Sequence, residues 1–357
     1  MTKFASKLAK PLLAAAIAGL MGSSASADTF IRIASGPSGG SWYPLGAKMA
    51  EIFGGIKGLA VSNGPGGGVG NVLDVNKKEA EIGWTYGHTA YDGFKGNAPV
   101  FKKANPNIRH LATLYPAALQ TVVPAKSSIK SYGDLKDKNL SPGKAKWSGY
   151  AAVQMILGKY GFSVADVKKA GGTIHHVGYT DSVSLMKDGH IDAFSALTSF
   201  PQASMLDLEF NPGVRFLGVD KPILDGIMKE NPGFIRVTLD KSQYKSLGDA
   251  KVETLGAVTI MVINKDVPDD VAYQITKALW DNHAELVKVK KVWDSVKLQN
   301  ALLGAACRSI RVPALLRREG RQVSLNPSPA GRRCNGAGDA GPSFGRAGPR
   351  DGDQESR

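Results

Sequence analysis

The chain has 357 residues, enough for two lobes of ordinary domain size with a real core. Its formal charge of +14 does not mark a nucleic-acid binder, because three of those charges sit in the first residues and a net five in the tail from Ala305, leaving six on the body. Both cysteines, Cys307 and Cys334, also lie in that tail, so the body holds no disulfide framework, cysteine nucleophile or thiolate metal site.

Lys3, Lys7 and Lys10 precede an apolar run over residues 11–21, and Ala25-Ser26-Ala27 supplies small residues for cleavage. Residues 1–27 therefore read as a signal peptide, with Asp28 as the new N-terminus and the periplasm as the destination. The run is too short to span a bilayer, and no later stretch is long and apolar enough. Residues 30–34 form a β-branched strand that enters the loop 35–41. A helix over about 43–53 follows, with Leu45, Met49, Ile52 and Phe53 on one face. The plan repeats as strand 59–62, glycine-rich loop 63–68, helix 69–77 and buried strand 81–84.

The middle of the chain predicts a strand over 120–123, a short helix at 132–135, a strand at 139–141, a polar loop over 142–149 and a helix over 150–160 ended by Gly161. A strand over 173–177, a helix over 181–187 and a strand over 191–195 come next. Further strands are expected over 215–219 and 257–263, and one long helix over 268–287. Alternating strands and helices place the chain in the α/β class, with a parallel or mixed sheet flanked by helices. Crossings placed near residues 119–123 and 216–220 divide it into lobe 1 (28–119 and 219–304) and lobe 2 (120–218).

Three loops, 35–41, 64–68 and 142–149, each open a helix. A helix start leaves backbone N–H groups unpaired and carries a partial positive charge. Glycine lets a ligand come close to that backbone, so such loops make an anion site without arginine. In open α/β sheets they gather at the carboxyl ends of strands. Ser38 and Ser41 add hydroxyls, and Ser148 is placed to cap the helix that begins at Tyr150. For any single loop the alternative is a plain turn. No Gly-Lys-Ser or Gly-Lys-Thr follows a loop, and no acidic residue ends the strand that a dinucleotide fingerprint needs, which argues against nucleotide binding. Trp42, Tyr43, Trp84, Tyr86, Trp147 and Tyr150 flank the loops as cleft walls or as core, with Tyr43 and Tyr86 the stronger wall candidates.

The enzyme classes fare poorly. The six histidines show no metal-ligand spacing with carboxylates, and His175 and His176 are expected on opposite faces of a strand. No Gly-x-Ser-x-Gly elbow is present. Asp188 and Asp192 read as a solvated loop around Gly189. No catalytic residue, metal or cofactor is expected. After Lys297 there is no lysine, and after Leu325 almost every residue is Gly, Pro, Ser, Ala, Arg or Asp. Such a segment cannot bury enough apolar surface to offset its ordering entropy. Residues 307–313, read in another frame, can encode Pro-Ile-His-Pro-Gly-Ala. Residues 305–357 are thus expected to be a disordered, frame-shifted tail, a natural linker being the alternative.

The run Ser-Gly-Pro-Ser-Gly-Gly-Ser-Trp-Tyr-Pro-Leu-Gly over residues 35–46 resembles the N-terminal signature of the TAXI-type receptors of TRAP transporters. Leu114-Tyr115-Pro116, Ser131-Tyr132-Gly133-Asp134-Leu135-Lys136 and Asp188-Gly189-His190-Ile191-Asp192-Ala193-Phe194 are similar to later landmarks, in the same order. The out-of-frame hexapeptide is similar to a motif near that family's C-terminus. The resemblance covers about residues 28–303. It implies a two-lobed, type II periplasmic-binding-protein-like architecture with a ligand cleft between the lobes. It further implies closure on glutamate-like amino acids or other small carboxylates, and delivery to a TRAP membrane permease driven by an ion gradient. Carried over by position, Gly39, Gly40, Ser41 and Tyr43 match the first binding loop, Gly67 and Gly68 the second, and Tyr86 the end of the next strand. Ser148 and Gly149 match a Ser-Gly-Thr loop in which Tyr150 replaces the threonine, and Thr198, Ser199 and Phe200 lie where lobe 2 reaches the cleft. A sensing module that presents a solute to a membrane sensor is the alternative role.

Overall fold

The computed structural model describes residues 28–97 and 99–302; the expected signal peptide, 1–27, and the tail, 305–357, lie outside them. The chain builds β1 (Thr29–Ala34), α1 (Trp42–Gly54), β2 (Leu59–Gly64), α2 (Val69–Asn76), β3 (Ile82–Tyr86) and α3 (Gly87–Lys95). Next come β4 (Ile108–Pro124), β5 (Leu140–Ser141), α4 (Ser148–Lys159), α5 (Val164–Lys169), α6 (Tyr179–Lys187) and β6 (Ala193–Thr198). The remainder forms α7 (Ala203–Phe210), β7 (Val214–Leu217), α8 (Lys221–Glu230), β8 (Phe234–Leu239), β9 (Val252–Asn264), α9 (Asp269–Asp281) and α10 (His283–Val289).

The class is mixed α/β. Its nine-stranded sheet runs β2-β1-β3-β9-β4-β6-β5, with β7 also on β4 and β8 also on β9. β1 pairs in parallel with β2 and β3, as its crossover helices require, and β5 pairs in parallel with β6. All ladders to β4 and β9 are antiparallel. These two strands organise the molecule. A strand of 17 residues, as β4 is, would reach about 56 Å if straight, more than one compact lobe needs. It is not straight: its register against β9 shifts between His110 and Ala112 and again between Thr113 and Pro116. Bulges of this kind bend and twist a strand. Before them β4 pairs only with the end of β9 that also carries β3; after them, Ala118–Val122 pair with β6 and Thr121–Pro124 with β7.

β9 makes the matching passage. Thr259–Ile263 lie on β3 and Val252–Ala257 on β8. The sheet therefore has one half around β1, β2 and β3, another around β5, β6, β7 and β8, and two long strands through both. The residues after Asp220 stay with the second half through β8 and return along β9.

Helix periodicity explains the packing. Leu45, Met49 and Phe53 of α1 recur every fourth residue and are all fully buried, joined by Ile31, Trp84 and Trp293. β3 is buried along its whole length, as a central strand covered on both faces must be. A second cluster gathers Phe194, Met205, Phe216 and Tyr244 under the other half.

Some expected elements differ. Residues 173–177 form no strand, only a single bridge between Leu140 and Ile174, because β5 is too short to offer a longer edge. The helix expected over 268–287 is two, broken at Asn282 (φ −103°, ψ 25°), whose side-chain amide donates to the Ala278 carbonyl. α3, α5, α7, α8 and β8 have no counterpart among the sequence-derived elements. No helix among the described residues is long and apolar enough to cross a membrane.

Candidate functional site

The starts of α1, α2 and α4 meet where the two halves face each other. None of the three has a side-chain cap hydrogen bond. A buried helix start without a cap leaves N–H donors for something else to satisfy. The cavity between them is lined by Gly40, Ser41 and Trp42 from the first loop, Gly67 and Gly68 from the second, and Trp147, Ser148 and Gly149 from the third. Tyr86, Tyr179, Leu197, Thr198 and Pro37 complete the wall. The cavity is small, about 30 Å³, enough for an ordered water. Outside it, a wider cleft of about 560 Å³ continues past Gly39, Asp74, Lys144, Lys146 and Thr180 to the surface.

Glycine is needed here for close approach of the halves. A Cβ on Gly67 would lie 1.9 Å from Trp147 Cδ1, and one on Gly68 would lie 2.0 Å from Ser148 Oγ. Gly68 also has φ +60°, which disfavours other residues. Direct hydrogen bonds join the halves around the cavity. The Tyr86 hydroxyl donates to the Leu197 carbonyl at 2.8 Å, Thr89 Oγ1 donates to Ser148 Oγ at 2.9 Å, and the Gly70 N–H donates to the Lys146 carbonyl at 3.1 Å. Ser41 Oγ and Thr198 Oγ1 are 3.4 Å apart.

A second layer orients these groups. The Tyr115 hydroxyl donates to Ser41 Oγ at 3.2 Å, and the Tyr179 hydroxyl donates to Leu197 O at 3.3 Å. Desolvation pushes the Tyr86, Tyr115 and Tyr179 phenols well above their usual range, so each stays a neutral donor. His88 packs flat against Phe234, with centroids 3.9 Å apart, and burial holds its pKa at about 3. Its Nε2 lies 3.0 Å from Thr89 Oγ1. Because Thr89 gives its proton to Ser148, the neutral ring must carry its hydrogen on Nε2. Asn71, fully buried, fixes the second loop. Its two Nδ2 protons are shared among the carbonyls of Ala34, Ser35 and Trp84, and its Oδ1 accepts the Gly67 N–H at 3.0 Å.

Of the residues singled out in the sequence, the structure brings Gly40, Ser41, Gly67, Gly68, Tyr86, Ser148, Gly149 and Thr198 onto one cavity wall. Gly39 lies on the outer cleft, where its carbonyl accepts from Gln202 Nε2. Tyr43, Ser199 and Phe200 are not on the wall; Tyr43 is half-buried on α1, and its carbonyl accepts from Asn63 at 3.4 Å. Ser148 is not a cap. It is the first residue of α4, Trp147 holds the cap position, and the serine hydroxyl faces Thr89 instead. His175 and His176 lie outside any strand, the His176 ring resting edge-on against Tyr150. Tyr179, Leu197, Thr89, Tyr115 and Asn71 were not among the expected site residues, although Tyr115 stands in the Leu114-Tyr115-Pro116 landmark. Only Asn71 carried a local signal, an amide just after a glycine-rich turn. Among the described residues, no three His, Cys, Asp or Glu groups converge as a metal site.

A model of the NMT1-like family matches residues 33–308. Among solved structures, the chain is similar to the alkanesulfonate-binding protein SsuA from Xanthomonas axonopodis pv. citri bound to MOPS, at 14% identity and TM-score 0.43, covering 76% of this chain and 81% of that one. It is also similar to an ancestral arginine-binding protein bound to arginine, at 15% identity and TM-score 0.43, covering 75% and 99%. The periplasmic aliphatic sulphonate binding protein SsuA from Escherichia coli matches at 13% identity and TM-score 0.40, covering 74% and 79%.

Proposed function

The chain belongs to the NMT1-like family, and we propose that it is an extracytoplasmic solute receptor that closes over a small carboxylate and delivers it to a TRAP-type membrane permease. One observation carries the reading: three uncapped helix starts, drawn from both halves of the sheet, meet at one small cavity ringed by buried hydroxyls. A carboxylate there accepts hydrogen bonds from both halves at once, and its charge matches the positive ends of the helices. Binding is thereby coupled to closure, which is what a delivery protein needs if its permease is to recognise the loaded form. The resemblance of residues 35–46 to TAXI-type receptors is the basis for the permease class, and the N-terminal segment for export to the periplasm.

We place the hinges where β4 and β9 change partners, at residues 114–117 and 257–259, rather than at 119–123 and 216–220. Bulged strands can bend there without breaking either core. A thermal-shift screen against small carboxylates tests the function. A ligand at a hundredfold excess over its Kd stabilises the protein by about 2.7 kcal/mol. Absence of a shift with every carboxylate would remove the receptor reading.

A further inference from the structure

The cavity has a hydrogen-bond polarity that narrows the solute class, given the receptor reading above. Its wall contains no charged side chain. Ser148, 2% exposed, accepts from Thr89 and has no acceptor for its own proton among the described residues. The Trp42 indole N–H, on another wall residue that is 6% exposed, also lacks an acceptor among the described residues. The Leu197 carbonyl, by contrast, already accepts from both Tyr86 and Tyr179, which fills its two lone pairs. No wall side chain has a buried acceptor left without a partner. The helix starts add further N–H donors and positive charge of the same sense.

We infer that this receptor selects compact carboxylates that lack an ammonium group, such as short 2-oxo or 2-hydroxy acids, and rejects the amino acids of the same shape. An ammonium in the cavity would face three helix starts and no carboxylate. The carboxylates that line the adjoining outer cleft are Asp74 and Asp181. Asp181 already accepts the Gly178 N–H at 3.3 Å. Asp74 is partly desolvated and faces Glu79, with Lys146 and Lys77 opposing, so its carboxyl titrates above the usual range. The aromatic faces of Trp42, Tyr86, Trp147 and Tyr179 could attract a cation, but weakly against the summed helix charge.

Calorimetric titration of the full chain with L-lactate and L-alanine isolates the point, because the two differ only by a hydroxyl in place of an ammonium; pyruvate, acetate and glycine betaine extend the set. The expected result is binding of lactate or pyruvate at least roughly a hundredfold tighter than alanine. Ser148→Ala should weaken that binding about tenfold, with a lowered melting temperature of the free protein from the lost Thr89 hydrogen bond. Alanine or glycine betaine binding as tightly as lactate overturns this inference but leaves the receptor reading intact. Failure of every carboxylate to bind overturns both. Unchanged pyruvate affinity in Ser148→Ala overturns the donor assignment on which the selection rests.

Discussion

Gly67→Ala puts one methyl group where the two halves touch. The added carbon would sit 1.9 Å from Trp147 Cδ1 and 2.6 Å from its Nε1, against the roughly 3.5 Å that two such atoms need. The indole is held edge-on against Tyr179 at 5.1 Å and cannot simply swing aside. The halves must then separate by about 1.5 Å. That distance breaks the Tyr86–Leu197, Thr89–Ser148 and Gly70–Lys146 hydrogen bonds. At about 1 kcal/mol each, the closed form loses about 3 kcal/mol, or roughly a hundredfold in its population and in apparent affinity. The halves themselves are not repacked, so the melting temperature of the free protein should change little. Native-state hydrogen exchange at the Gly70 amide reads closure directly, and calorimetry with the best-binding carboxylate reads affinity. If Gly67→Ala keeps wild-type Gly70 protection and wild-type affinity, the contact between the second loop and Trp147 does not govern closure.

Three further outcomes are expected. Asn71→Ala removes two buried amide protons shared among three carbonyls and the oxygen that accepts the Gly67 N–H, and should cost about 2–4 kcal/mol in urea denaturation; a loss under 1 kcal/mol would show that the second loop is held by something else. Tyr115→Phe frees Ser41 from its donor and should weaken carboxylate binding about five- to tenfold with a small stability change; unchanged binding would take Ser41 out of the site. Stability should fall with acidification. Burial lowers the pKa of His88 from 6.5 to about 3 and of His110 to about 4, so between pH 6.5 and those values the unfolded chain takes up protons that the folded one does not. Each histidine then lowers stability by up to about 1.4 kcal/mol per pH unit. A His88→Phe, His110→Phe double variant that keeps the wild-type slope between pH 6.5 and 4.5 would contradict this origin.

The sequence was most legible where local chemistry and tertiary structure agree. The glycine-rich turns at 35–41 and 64–68 open α1 and α2 as the apolar spacing of Leu45, Met49 and Phe53 and of Val72 and Val75 demands. Eight of the residues carried over by position share one wall because the carboxyl ends of β1, β2 and β3 in one half, and of β5 and β6 running the opposite way in the other, both open onto the cavity. What escaped was set by long-range pairing. β4 is long because β9 and then β6 and β7 give it partners at both ends; its own sequence, interrupted by Pro116 within a bulge, reads as a strand only over its last residues. α3 holds together although two of its residues are Gly87 and Gly93, because six of its nine are buried under the sheet. Ser148 looked like a helix cap by position, yet the partner that decides its role, Thr89, lies 59 residues away. Tyr115 and Tyr179 reach the site from elements whose local patterns carry no sign of it.

In the proposed function, a carboxylate closes this molecule by bridging the starts of α1, α2 and α4. A crystal structure of the full chain grown with its best-binding small carboxylate tests it most directly. The carboxylate oxygens are expected within about 3.2 Å of donors from both halves, Ser148 Oγ or the α4 N–H groups on one side and the α1 or α2 start on the other. A carboxylate found instead in the outer cleft, on Lys144 or Lys146 with the inner cavity unchanged, would contradict it.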